Sequence, residues 1–166
     1  MPIDRRLVLP LLTALVLVLA GCASSPVADS GTPIAPIGPA HVITESGHEG
    51  QTVVWGGRLV GISNLADSTE LEIVSLPLDR GDRPRLSAEP GVRFIVRHYG
   101  FLEPMQYVPG RHVTVLGEVL GLEERLVGEF IYQQPVLIAN QLHLWPADPA
   151  QWRSRTNFSV GIGIRL

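Results

Sequence analysis

The chain has 166 residues, a formal net charge of −3 and one cysteine. This length suits a single folded domain with short additional segments. A lone cysteine cannot form an internal disulfide bond, so the core alone must hold the fold. The acidic balance argues against a nucleic-acid-binding protein, which would need a basic surface.

The first residues have the pattern of an export signal. Arg5-Arg6 precede an apolar run from Leu7 to Ala20, which ends in Leu19-Ala20-Gly21-Cys22. This ending resembles the lipobox of bacterial lipoprotein precursors. The resemblance implies cleavage between Gly21 and Cys22 and a diacylglyceryl group on the Cys22 thiol, which gives a signal peptide over 1–21.

Three other interpretations of this segment remain. A soluble secretory signal has the same basic and apolar parts but needs no cysteine after them. A transmembrane helix needs roughly 20 apolar residues, and here Pro10 interrupts the start of the run. Cys22 could also be a buried structural thiol. The residue after the cysteine is Ala23 and not aspartate, which in enteric-type lipoproteins favours the outer membrane over the inner one.

The composition divides the rest of the chain into three parts. Residues 22–40 are rich in Pro, Ser, Gly and Ala, which predicts a flexible, lipid-anchored tether. We expect a folded domain over 41–148 and a C-terminal tail over 149–166.

Alternation of apolar and polar residues predicts strands in the folded domain. The predicted strands centre on Val53–Leu59, Leu71–Ile73, Val92–His98, His112–Leu120 and Phe130–Trp145. The same alternation places Glu70 and Glu72 on the outer face, opposite Arg93 and Arg97 on the next strand.

Two further signals set the predicted fold class. Pro104 favours the start of a short helix that Pro109-Gly110 would end, and a compact turn over 100–110 is the alternative. Glu123-Glu124 is typical of a solvated turn. Three strands, a helix and two more strands is the order of an OB-like barrel. We therefore predict an all-β, five- to six-stranded OB-like barrel with one short helix, with a β-sandwich as the alternative.

Several short motifs together resemble the Slp family, outer-membrane lipoproteins named for a starvation-inducible member. The resemblance spans roughly 47–146 plus the lipobox, and its order and spacing are more specific than any single motif. It implies an outer-membrane lipoprotein with no established catalytic activity. The motifs are Trp55-Gly56-Gly57, Leu76-Pro77-Leu78-Asp79, Gly100-Phe101-Leu102-Glu103-Pro104 with Tyr107 and Gly110, Val113-Thr114-Val115-Leu116-Gly117, Tyr132 with Pro135-Val136, and Leu144-Trp145-Pro146.

No catalytic motif or paired metal-ligand spacing stands out, so we assign neither catalytic nor metal-binding residues. The scattered histidines and glutamates suit surface or structural positions. The candidate binding surface has two parts, and each also has a structural interpretation. Arg80, Arg83 and Arg85 could meet phosphate groups or form an exposed loop, and Phe101 and Tyr107 could bind a ligand or pack beneath their loop.

These observations leave two functional classes. The first is a non-enzymatic lipoprotein with a binding or structural role in the envelope, expected under starvation or stress. The second is an envelope hydrolase or another ligand-binding enzyme. We expect outer-membrane lipid as a partner through Cys22, an envelope protein, lipid or glycan as a further partner, no nucleic acid, and no cofactor besides the covalent lipid. The domain is expected to face the periplasm.

Overall fold

The computed structural model describes residues 24–152. The predicted signal peptide, its cleavage site at Gly21 and the lipidation site at Cys22 lie outside these residues, so they stay predictions. Within the described range, no helix is both long and apolar enough to cross a membrane.

Five strands form a closed barrel in the order β1-β2-β3-β5-β4. The β3–β5 pair is parallel and the other pairs are antiparallel. This is the strand order of an OB-type barrel, so the predicted all-β fold class is confirmed. The strands are β1 (Thr52–Asn64), β2 (Ser68–Ser75), β3 (Arg93–Tyr99), β4 (His112–Val127) and β5 (Phe130–Leu144).

Strand β1 closes the barrel because it pairs with two neighbours along its length. Its first half pairs with β4 and its second half with β2. Gly57 lies where the halves meet, and a Cβ there would overlap the carbonyl oxygen of Val74. Inside, the ring of Trp55 meets that of Phe94 edge-on, with centroids 5.4 Å apart.

The segment predicted as a flexible tether is buried at Val27 and packs against the barrel over its later part. Val27 is buried, with 2% of its surface exposed. The Ala35 amide donates to the Thr52 carbonyl, and Trp55 Nε1 donates to the Ile37 carbonyl at 2.7 Å. Ala35 and Ile37 pack against the core; these apolar residues bind the proline-rich segment to the barrel.

The short helix of the fold precedes the barrel. It is α1 (Pro39–Thr44), whereas the sequence predicted a short helix or a compact turn between β3 and β4. Of these two, the chain forms turns, near Pro104–Gln106 and Pro109-Gly110. A second short element, a 3-10 turn over Pro149–Trp152, buries Trp152.

The loop from Gly100 to Gly110 also packs differently from the prediction. Phe101 is 68% exposed, and the neighbouring Leu102 joins the core instead. The backbone explains this choice: the Leu102 amide donates to Thr69 Oγ1, and Asn64 Nδ2 donates to the Leu102 carbonyl. These bonds fix Leu102 over the end of the barrel. Tyr107 packs against the core as predicted.

The β4–β5 hairpin is longer than predicted. Residues 122–135 pair only with one another, beyond the parts of β4 and β5 that contact β1 and β3, and Gly121 pairs with Val136 at their base. We call residues 121–135 the arm. Its turn lies at Gly128-Glu129, between the paired Val127 and Phe130, so the predicted turn at Glu123-Glu124 is wrong.

Candidate functional site

The end of the arm carries a group of exposed apolar side chains, which we call the arm tip. Their exposed fractions are 72% for Leu126, 70% for Phe130, 67% for Ile131 and 52% for Tyr132. A cluster of large apolar residues in water is costly unless it meets another surface, and such patches mark interaction sites. The arm tip is therefore the strongest candidate functional site.

The apolar residues of the arm tip occupy both faces of the hairpin. Cross-strand partners share a face. Leu126 pairs with Ile131 on one face, while Val127 pairs with Phe130 and Arg125 with Tyr132 on the other. The Phe130 and Tyr132 rings lie with centroids 6.4 Å apart.

An ion-pair cluster joins the arm to the outer face of the barrel. Arg125 on the arm lies 3.1 Å from a carboxylate oxygen of Glu70 and 2.7 Å from one of Glu123. Arg97 on β3 reaches the same two glutamates at 2.9 and 2.7 Å. These four residues fix the direction of the arm against β2 and β3.

The predicted charge pattern across β2 and β3 is confirmed. Glu70 and Arg97 face each other in the register, and Glu72 bonds with Arg93 at 2.8 Å. The glutamates lie on the outer face because the alternation places Leu71 and Ile73 inside.

Glu123, Arg125 and Arg97 of this cluster keep their charges at neutral pH. Burial alone would raise the pKa of Glu123, but the hydrogen bonds and charges of Arg125 and Arg97 outweigh it and lower that pKa. The hydrogen bond to Glu123 raises the pKa of Arg125, and the hydrogen bond to Glu70 raises that of Arg97. Such residues suit a structural link better than proton transfer.

A polar cleft of about 230 Å³ separates the arm from the barrel beside this cluster. Gln134, only 1% exposed, lines it and donates from Nε2 to Glu72 at 3.4 Å. Its Oε1 has no hydrogen-bond partner among the described residues, so a water or another donor is needed there.

The predicted arginines lie in the loop between β2 and β3 and have different surroundings. Arg83 bonds with Asp79 at 3.0 Å and donates to the Trp152 carbonyl at 3.1 Å, which is a structural role. Burial would raise the pKa of Asp79, but the amides of Arg83 and Gly81 and the Arg83 charge lower it. Arg80 and Arg85 are exposed.

The predicted aromatic residues lie in another loop, between β3 and β4. Phe101 is exposed together with Tyr99 and Met105. Tyr107 is half-buried, and burial raises its pKa. The arginine and aromatic groups thus sit on separate loops, and the binding role of either group stays a prediction.

Histidines near the barrel end have packing roles. Burial lowers the pKa of His112 and of His143, and each ring packs edge-on against a tryptophan, Trp152 and Trp145 respectively. Over residues 24–152, no group of three or more His, Cys, Asp or Glu side chains is placed to hold a metal ion.

Sequence reasoning did not single out the arm tip. One signal in the chain could have found it. Gly128-Glu129 is a two-residue hairpin connection, and Gly128 takes φ 64° in the structure.

Comparison with known proteins identifies the family. The model of the "Outer membrane lipoprotein Slp family" matches residues 19–160. The chain belongs to this family. The predicted resemblance is confirmed, and the protein is an outer-membrane lipoprotein.

Individual relatives agree with this membership. The chain is 30% identical over 131 residues to the uncharacterized lipoprotein YeaY of Escherichia coli, covering 78% of this chain and 67% of the relative. It is 28% identical over 138 residues to the outer membrane protein Slp of E. coli, covering 81% and 73%. An uncharacterized Haemophilus influenzae protein is 33% identical over 96 residues, covering 57% of this chain; the chain spans about half, 52%, of that relative.

One solved structure that the chain matches is the small single-stranded DNA-binding protein from Streptomyces coelicolor. The TM-score is 0.38 at 14% identity, covering 61% of this chain and 97% of the other. The fold assignment rests on the strand order of the barrel itself.

Proposed function

We propose that this Slp family lipoprotein is a non-enzymatic binding protein that uses the arm tip to hold a second component of the envelope. The lipid on Cys22 would fix the protein at the outer membrane, with the barrel in the periplasm. The observation that carries the proposal is the exposure of four large apolar side chains on an arm that ion pairs fix to the barrel.

The chemistry of the arm tip narrows the expected partners. Of the predicted protein, lipid and glycan partners, an apolar surface suits protein or lipid, because a glycan needs many hydrogen-bonding groups. Leu126, Phe130 and Ile131 offer none from their side chains.

The environment of the nearest acidic residues supports binding over catalysis. A glutamate that acts as a general acid needs a raised pKa. The pKa of Glu123 is lowered, and Glu70 contacts both Arg97 and Arg125. An envelope hydrolase is the alternative, and the polar cleft beside Gln134 is where its substrate would be sought.

In-cell photo-cross-linking tests the proposal. A photoreactive amino acid replaces Ile131, and a matched control replaces Leu86, an exposed apolar residue of the β2–β3 loop (45% exposed). We expect position 131 to form adducts with an identified envelope protein or with lipid, at a yield well above that of position 86. Equal yields at both positions would contradict a binding role for the arm tip.

A further inference from the structure

The position of the arm tip indicates which envelope component it binds, an inference that rests on the proposed function. We infer that the arm tip inserts into the interfacial region of the lipid leaflet that holds the Cys22 anchor. The protein would then contact the membrane at two points, the acyl chains and the arm.

Apolar side chains are exposed on both faces of the arm tip. A protein groove would cover one face of a hairpin and leave the other in water. Here Leu126 and Ile131 are exposed on one face, and Phe130 and Tyr132 on the other. A lipid phase surrounds the tip and covers both faces together.

The tether that follows the anchor is short. Four residues lie between Cys22 and the buried Val27, and the five residue steps span at most about 18 Å when fully extended. The anchor therefore holds the barrel close to the bilayer. The arm strand from Gly121 to Gly128 extends about 23 Å at about 3.3 Å per residue. The arm is therefore about as long as the chain between the anchor and Val27.

Helix α1, which follows the N-terminal segment, lies beside the arm. Its Ile43 lines a cavity of about 290 Å³ together with Val127 and Tyr132 of the arm. The Gly50 amide donates to the Val119 carbonyl near the base of the arm. Helix α1 and Gly50, downstream of the anchored segment, thus lie next to the arm.

The aromatic and charged residues of the arm tip determine how deeply it enters the lipid leaflet. Phe130 and Tyr132 suit the membrane–water interface, where aromatic side chains concentrate. Glu129 in the turn is exposed, and its carboxylate needs hydration. The tip therefore stays at the level of the head groups and the first acyl carbons.

A fluorescence experiment on the full lipidated chain tests this inference. Ile131→Cys receives an environment-sensitive dye, since lipid blocks the thiol of Cys22. The control dye is placed at Glu89→Cys, another exposed position. The protein is held in vesicles of phosphatidylethanolamine and phosphatidylglycerol that contain lipid-attached quenchers at defined depths.

We expect the dye at position 131 to shift its emission to shorter wavelength and to be quenched best by shallow quenchers, while the dye at position 89 keeps its aqueous emission. Adding Glu129→Gln should move the quenching maximum deeper. Aqueous emission at position 131, or equal quenching at both positions, would overturn the inference.

The dye experiment and the cross-linking experiment distinguish a failure of lipid insertion from a failure of the proposed function. A dye in water at position 131, combined with specific protein adducts at that position in cells, would overturn lipid insertion and leave a protein-binding arm. The absence of specific adducts of either kind would overturn the proposed function itself.

Discussion

The guanidinium of Arg125 on the arm donates to the carboxylate of Glu70 on β2 at 3.1 Å. The two residues are far apart in sequence and belong to strands that do not pair with each other. Their bond, shared with Glu123 and Arg97, holds the hairpin against the barrel together with the hydrogen bond from Gln134 to Glu72. A two-stranded ribbon alone is only marginally stable in water, so the cluster determines how rigidly the arm tip is presented.

Arg125→Gln should loosen the arm and leave the barrel folded. Because Arg125 is partly exposed, solvent screens its ion pairs, and the global cost should be only about 0.2–1 kcal/mol. The main effect should be faster amide hydrogen exchange in residues 121–135. Arg80→Gln, at an exposed arginine elsewhere, is the control; equal exchange in both variants would contradict the structural role of Arg125.

The contribution of Glu123 should depend on pH. Its pKa is lower in the folded protein than the ordinary value of 4.5, so its ion pairs stabilise the fold above that value and are lost as the pH falls through the lowered pKa. Glu123→Gln should therefore reduce the free energy of unfolding at neutral pH, and the difference should vanish in acid.

Urea unfolding of both chains across this pH range measures the difference. Glu124→Gln, at the exposed neighbouring residue, should change little at any pH. A cost of Glu123→Gln that is the same at neutral and acid pH would show that the charge of Glu123 contributes nothing.

A part of the fold could be predicted where apolar and polar residues alternate along the chain, and could not be predicted where that alternation stops. Alternation predicted the barrel strands and the Glu70–Arg97 pair. Neighbouring residues of a strand point to opposite faces of the sheet, so burial of the apolar face in the core fixes the register. In the loop after β3, no period distinguishes Phe101 from Leu102; tertiary hydrogen bonds from Asn64 and to Thr69 decided which residue is buried. The arm was missed because two adjacent glutamates are typical of a turn, whereas Arg97 and Arg125 pair with one of them.

Residues 101 and 102 offer a direct stability test of the loop. Leu102→Ala should cost about 2–3 kcal/mol, since it removes buried methyl groups near the end of the barrel. Phe101→Ala should change the free energy of unfolding by less than about 0.5 kcal/mol, because its ring is exposed. Urea unfolding measures both, and a larger loss for Phe101→Ala would contradict the observed packing.

The anchor prediction is tested at Cys22. Cys22→Ser should leave the precursor without lipid and uncut by the lipoprotein signal peptidase, because the thiol that accepts the diacylglyceryl group is absent. Radioactive palmitate labelling followed by mass measurement distinguishes the forms. Palmitate incorporated into the Cys22→Ser chain would show that the anchor lies elsewhere.

We propose above that the apolar side chains of the arm tip bind a second envelope component. Cross-linking from the arm tip tests this binding most directly. A photoreactive amino acid at Tyr132 is cross-linked in cells, in the otherwise unchanged chain and in one carrying Phe130→Ser and Ile131→Ser. Each apolar side chain buried at an interface contributes about 1.5–3 kcal/mol, so we predict that the specific adducts fall by more than about tenfold. Both serines lie at exposed positions, so the barrel should melt as before. An unchanged adduct yield in a folded double variant would contradict the claim.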